Sequence, residues 1–67
     1  MRTWQVGDRT TIYDDPLTKR RAEGRATLIN PIDGDNMPGL EYWDVRFPGE
    51  GATYPRRIAP KGQRKLT

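Results

Sequence analysis

Six prolines, Pro16, Pro31, Pro38, Pro48, Pro55 and Pro60, run through the whole chain and constrain its fold more than any other feature. Each lacks a backbone N–H and clashes with the turn before it in a helix, so no stretch is long and clean enough for three helical turns. Glycines and acidic turn residues lie between most of them. What remains is a set of short β-branched and aromatic runs separated by turn chemistry, the pattern of an all-β barrel or sandwich.

The first run is Arg9-Thr10-Thr11-Ile12-Tyr13, entered through Gly7-Asp8 and stopped by Asp14-Asp15-Pro16. Alternation groups Val6, Thr10 and Ile12 on one face and Arg9, Thr11 and Tyr13 on the other. Residues 14–24 then read as a long polar loop with Lys19-Arg20-Arg21 at its middle. The second run, Arg25 to Asn30, ends at Pro31 with Ala26 and Leu28 inward, and residues 32–39 form a loop. In the third run, Leu40 to Phe47, Trp43, Val45 and Phe47 alternate with outward Tyr42, Asp44 and Arg46. Pro48-Gly49-Glu50-Gly51 turns the chain into a fourth run, Ala52 to Ile58, where Pro55 predicts an edge position and a single helical turn follows near Arg56 to Ala59. Residues 60–67 have no apolar pattern and read as a flexible basic tail beyond a domain at residues 1–59.

With 67 residues, of which 33% are hydrophobic, the chain holds one small domain. A chain this short buries only roughly 60% of the surface it exposes when unfolded, which leaves little room for an enclosed catalytic cleft. It has no Cys and no His, which removes disulfides, thiolate metal cages and the usual general bases. No cofactor and no metal are expected. The acidic turns Asp14-Asp15 and Asp33-Gly34-Asp35-Asn36 suit local backbone hydrogen bonding better than acid-base or calcium chemistry. The longest apolar stretch is two residues, so the chain reads as cytoplasmic, with no membrane partner.

The formal charge of +3 is unevenly spread. Residues 1–55 carry seven Lys/Arg against all nine Asp/Glu, a charge of −2, whereas residues 56–67 carry five Lys/Arg and no acid, a charge of +5. Nine of the twelve basic residues are arginine, the side chain suited to bidentate phosphate contacts and to stacking on bases. The candidate phosphate-contacting set is Lys19, Arg20, Arg21, Arg25, Arg46, Arg56, Arg57, Lys61, Arg64 and Lys65. Tyr42 and Tyr54 join it as candidate groups to stack bases or enclose a methylated side chain; Tyr13 and Trp4 are further surface aromatics suited to the same role, Trp4 better suited to the core.

The order of Val6-Gly7-Asp8-Arg9 before a strand, a long loop, a second strand, Tyr42-Trp43-Asp44-Val45-Arg46-Phe47, a Pro-Gly turn and a short strand ending in Ile58 resembles the small SH3-like barrels, particularly KOW and Tudor-type modules. The likeness covers residues 4–59 and implies a bent five-stranded barrel whose rim loops bind a ligand. A weaker likeness to peptide-binding SH3 domains runs through Thr10 to Asp14, Tyr42-Trp43 and Gly51 to Pro55, with Arg56-Arg57 where that family carries an Asn-Tyr pair. The Gly-Asp-Arg start and Ala52-Thr53-Tyr54-Pro55 also resemble the type II dihydrofolate reductases, but the glutamine that binds substrate and cofactor there is missing here.

The resulting expectation is an all-β, small five-stranded SH3-like barrel with a long first loop and a flexible basic C-terminal tail. It acts as a non-catalytic, low-specificity binder of DNA or RNA, as a monomer or weak homo-oligomer. The alternative is a protein-interaction domain, an adaptor, subunit or inhibitor that docks on an acidic protein surface through its loops or a strand edge.

Overall fold

The computed structural model describes residues 2–33 and 38–65. Four strands, β1 (Arg9–Asp15), β2 (Arg20–Pro31), β3 (Glu41–Arg46) and β4 (Tyr54–Ile58), follow one another in an antiparallel sheet of order β1-β2-β3-β4. Among the described residues there is no helix, and therefore none long and apolar enough to cross a membrane. Residues 34–37, including Asp35 and Met37 of the acidic loop, lie outside the described residues.

Period-two alternation supplies the core, because successive side chains in a strand point to opposite faces. Ile12, Ala26, Leu28, Trp43, Val45 and Ile58 are buried together, with Trp4 and Phe47 packed against them. Burying each large member contributes about 1.5–3 kcal/mol, most of what a sheet this small has to offset its conformational entropy. The inward assignments of Ile12, Ala26, Leu28, Trp43 and Val45 follow directly from the sequence pattern.

Several expectations are corrected. The long first loop at 14–24 is a turn of only four residues, 16–19, because Asp15 pairs with Arg20 and both flanking segments extend the ladder. Polar residues continue a strand here because this end of the β1–β2 hairpin projects into solvent, where polarity does not oppose pairing. The five-stranded barrel is a four-stranded open sheet: β1 and β4 touch, but no ladder joins them. Val6 is exposed rather than grouped with Ile12, since Gly7, at φ 93°, turns the chain and breaks the alternation. No helical turn follows Arg56; β4 stays extended to Ile58, which sits opposite Glu41.

Bulges bend the sheet. Between Ile12 and Tyr13 the register slips, placing Glu23 as an extra residue on β2, and a second slip near Ile29 does the same against β3. Gly24 adjoins the first bulge at φ 133°, a conformation L side chains rarely adopt. Pro55 lies on the edge strand β4, the place where its missing donor is tolerated.

Candidate functional site

The segment before β1 and the segment after β4 meet beside a buried carboxylate. Glu41 Oε2 accepts the Thr3 amide at 2.8 Å and the Thr3 hydroxyl, while Oε1 accepts the Trp43 indole N–H at 3.1 Å and the Trp4 amide at 3.4 Å. Burial alone pushes the Glu41 pKa up, but these donors outweigh it and hold the carboxyl below its ordinary value. The Thr3 hydroxyl also accepts the Lys61 backbone N–H at 2.7 Å, and the Trp4 indole donates to the Ala59 carbonyl at 2.8 Å. Lys61 Nζ lies 5.6 Å from the Trp4 ring centroid and 3.6 Å from Asp8. The tail at 60–67, read from sequence as flexible, is thus fastened near its start, at Lys61, to Thr3, Trp4 and Asp8.

That fastening builds one wall of a cleft of about 580 Å³, with strand β1 as the other. Residues 58–60 and 62–65 line it together with Arg9, Thr10, Thr11 and Tyr13. Five basic residues line it, Arg9, Lys19, Arg25, Arg64 and Lys65, and among the described residues no Asp or Glu does. Among the described residues none of these five forms an ion pair. Cross-strand register explains the grouping on the sheet side: Arg9 sits opposite Thr27 and Arg25 opposite Thr11, which places both arginines on the outer face with Tyr13. Lys19 comes from the hairpin turn, where its φ of 56° is left-handed. Like charges gathered around one cleft favour an anion there.

Other members of the sequence-derived set sit elsewhere. Arg56 forms a bidentate pair with Glu23, Nε to Oε1 at 2.8 Å and Nη2 to Oε2 at 2.9 Å, spanning from β4 to the bulge in β2. The hydrogen bond with Arg56 lowers the Glu23 pKa and raises that of Arg56. Arg56 also approaches the Tyr54 ring at 5.7 Å, and the Tyr54 hydroxyl donates to Glu50 at 2.7 Å, which raises the tyrosine's pKa. Arg57 covers the Tyr42 ring at 4.7 Å on the outer face. Arg21 pairs with Asp14 at 3.3 Å, both exposed. Arg20 lies opposite Asp15, and Arg46, exposed, lies opposite Thr27.

A second groove, of mixed charge, is lined by Leu40, Tyr42, Pro55 and Arg57 together with Asp14 and Glu23. Tyr13 and Pro16 belong to both depressions and form the ridge between them. Of the predicted residues, the structure brings Lys19, Arg25, Arg64 and Lys65 together and leaves Tyr42, Tyr54, Arg56 and Arg57 apart from them. Arg9 is the addition that sequence reasoning missed as a site residue, and Tyr13, weighed from sequence as a surface aromatic, lines the cleft with it. Their signal was present, since alternation already turned both away from Ile12, to the side Arg25 occupies.

Comparison of the chain with protein-family models, with curated proteins and with solved structures finds no match to any of them.

Proposed function

We propose that this chain is a non-catalytic binding module for nucleic acid, an open relative of the small SH3-like barrels, with the cleft between β1 and residues 58–65 as its binding surface. The observation that supports the reading is the lining of that cleft: five Lys/Arg and, among the described residues, no Asp/Glu, where two other grooves mix both signs. Each phosphate neutralised there releases condensed counterions, so affinity comes from the backbone of the ligand and falls with salt. Little sequence preference is expected, because the described residues include no helix to enter a major groove.

The test is a titration of labelled DNA and RNA at several salt concentrations with wild type, Arg25→Ala and Lys65→Ala. Each substitution is expected to weaken binding alike for all sequences and to reduce the salt slope by about 0.7–0.9. Unchanged slopes overturn the assignment of the cleft. The second groove, where Leu40, Tyr42 and Pro55 stand beside Asp14 and Glu23, favours the other reading, a protein partner. Binding of nucleic acid that is lost on Arg57→Ala but not on Arg25→Ala would move the site there.

A further inference from the structure

We infer that the cleft takes a single strand rather than a duplex, with the open edge of β1 meeting the phosphates and Tyr13 serving as the stacking platform. This rests on the nucleic-acid reading above and specifies its ligand. The edge comes first. Among the described residues strand β1 has a ladder partner, β2, on one side only. Because the Leu28 N–H bonds the Asp8 carbonyl at 2.8 Å, antiparallel alternation turns the polar groups of Thr10 and Ile12 toward β2 and those of Arg9 and Thr11 away from it. The outward N–H groups of Arg9 and Thr11 therefore lie on the side of β1 that lines the cleft, next to the side chains of Arg9 and Arg25. Backbone N–H and guanidinium donors together suit phosphate oxygens.

An edge of this kind is also a template for another strand, but the five Lys/Arg of the cleft favour an anionic occupant.

Size then separates single from double strand. At about 580 Å³ the cleft falls within the range of sites for small ligands, roughly 300–1,000 Å³. It has two walls, and the whole protein measures 33 × 25 × 17 Å. Such a slot receives one flexible backbone, a nucleotide or two at a time, whereas a stiff duplex presents its phosphates on a convex surface and stays outside. A single strand also leaves its bases unpaired. Half-buried Tyr13 stands on the ridge where a strand leaving the cationic cleft crosses toward the Tyr42 groove, and an aromatic face there takes any base.

The experiment compares labelled oligothymidylate with a duplex of equal length by fluorescence anisotropy at two salt concentrations, using wild type, Tyr13→Leu and Arg9→Ala. Circular dichroism checks that each variant keeps its sheet. The single strand is expected to bind at least tenfold more tightly than the duplex. Tyr13→Leu weakens single-strand binding roughly tenfold with the salt slope unchanged, since stacking releases no counterion. Arg9→Ala lowers the slope by about 0.7. A duplex bound as tightly as the single strand, or a Tyr13→Leu variant of full affinity, overturns this inference and leaves the nucleic-acid reading standing. Failure of both ligands to bind overturns the two together.

Discussion

The Thr3 amide donates to Glu41 Oε2 at 2.8 Å, joining positions 38 residues apart, and the hydroxyl of the same threonine both donates to that carboxylate and accepts the Lys61 N–H. One buried acid thereby organises both ends of the chain and, through residues 58–65, one wall of the cationic cleft.

This arrangement makes stability acid-sensitive in a defined sense. The folded-state pKa of Glu41 is depressed below the ordinary 4.5, so its contribution is fully present above that value and is lost as pH falls through the folded pKa. Glu41→Gln keeps the shape but removes the charge from these hydrogen bonds, and is expected to cost about 1.5–3 kcal/mol at neutral pH. Urea denaturation of both proteins from pH 7 down to pH values well below 4.5 should show the difference between them shrinking as wild type protonates. A gap that stays constant with pH contradicts the role given to Glu41.

Trp43 combines packing with polarity, being 1% exposed while its indole N–H reaches Glu41. Trp43→Ala is expected to cost roughly 3–5 kcal/mol, enough to unfold a chain this small. Trp43→Phe retains most of the apolar volume but leaves the carboxylate one donor short, at about 1–3 kcal/mol. Thermal unfolding followed by circular dichroism separates the two losses.

Arg56 is committed to Glu23, and its side chain and that of Glu23 are each about a third exposed, at 33% and 35%. Solvent screening keeps the pair's contribution to about 0.5–1 kcal/mol. Arg56→Lys should lose most of that, since an ammonium does not reproduce the two-pronged contact. In the nucleic-acid titration Arg56→Ala should leave the salt slope as it is, in contrast to Arg25→Ala.

Gly24 tests the bulge that places Glu23. A Cβ built there meets the Phe47 ring at an ordinary 3.9 Å, so space is not the obstacle; the φ of 133° is. Gly24→Ala is expected to destabilise by about 1–3 kcal/mol. Denaturation of the Gly24→Ala, Arg56→Ala and double variants should show losses that fail to add, because both act on the Glu23 bridge. Additive losses would separate bulge from bridge.

Much of this protein was legible in the order of its residues. Proline spacing excluded long helices, and alternation in Leu40 to Phe47 put Trp43 and Val45 inside, because both depend only on neighbouring residues. The polar hairpin at 14–24 was not legible, since composition there favours a loop and the pairing of Asp15 with Arg20 is made by a partner strand. Charge counting identified the C-terminal basic end but not which cations act together: Arg56 lies close in sequence to Arg64 and Lys65, yet Glu23 holds it on another surface.

By itself, then, the sequence determined an all-β, helix-poor chain with a thin core and an excess of basic residues at its C-terminal end. Tertiary structure alone decided that the sheet has four strands and stays open, that Glu41 and Thr3 tie the segment before β1 to the segment after β4, and that Arg9 joins Arg25, Lys19, Arg64 and Lys65 around a cleft with no Asp or Glu among the described residues. The physical reason is range. Backbone propensity and side-chain alternation act over a few residues, whereas register, bulges and a buried carboxylate set distances between residues far apart in the chain, and a binding surface is made of such distances.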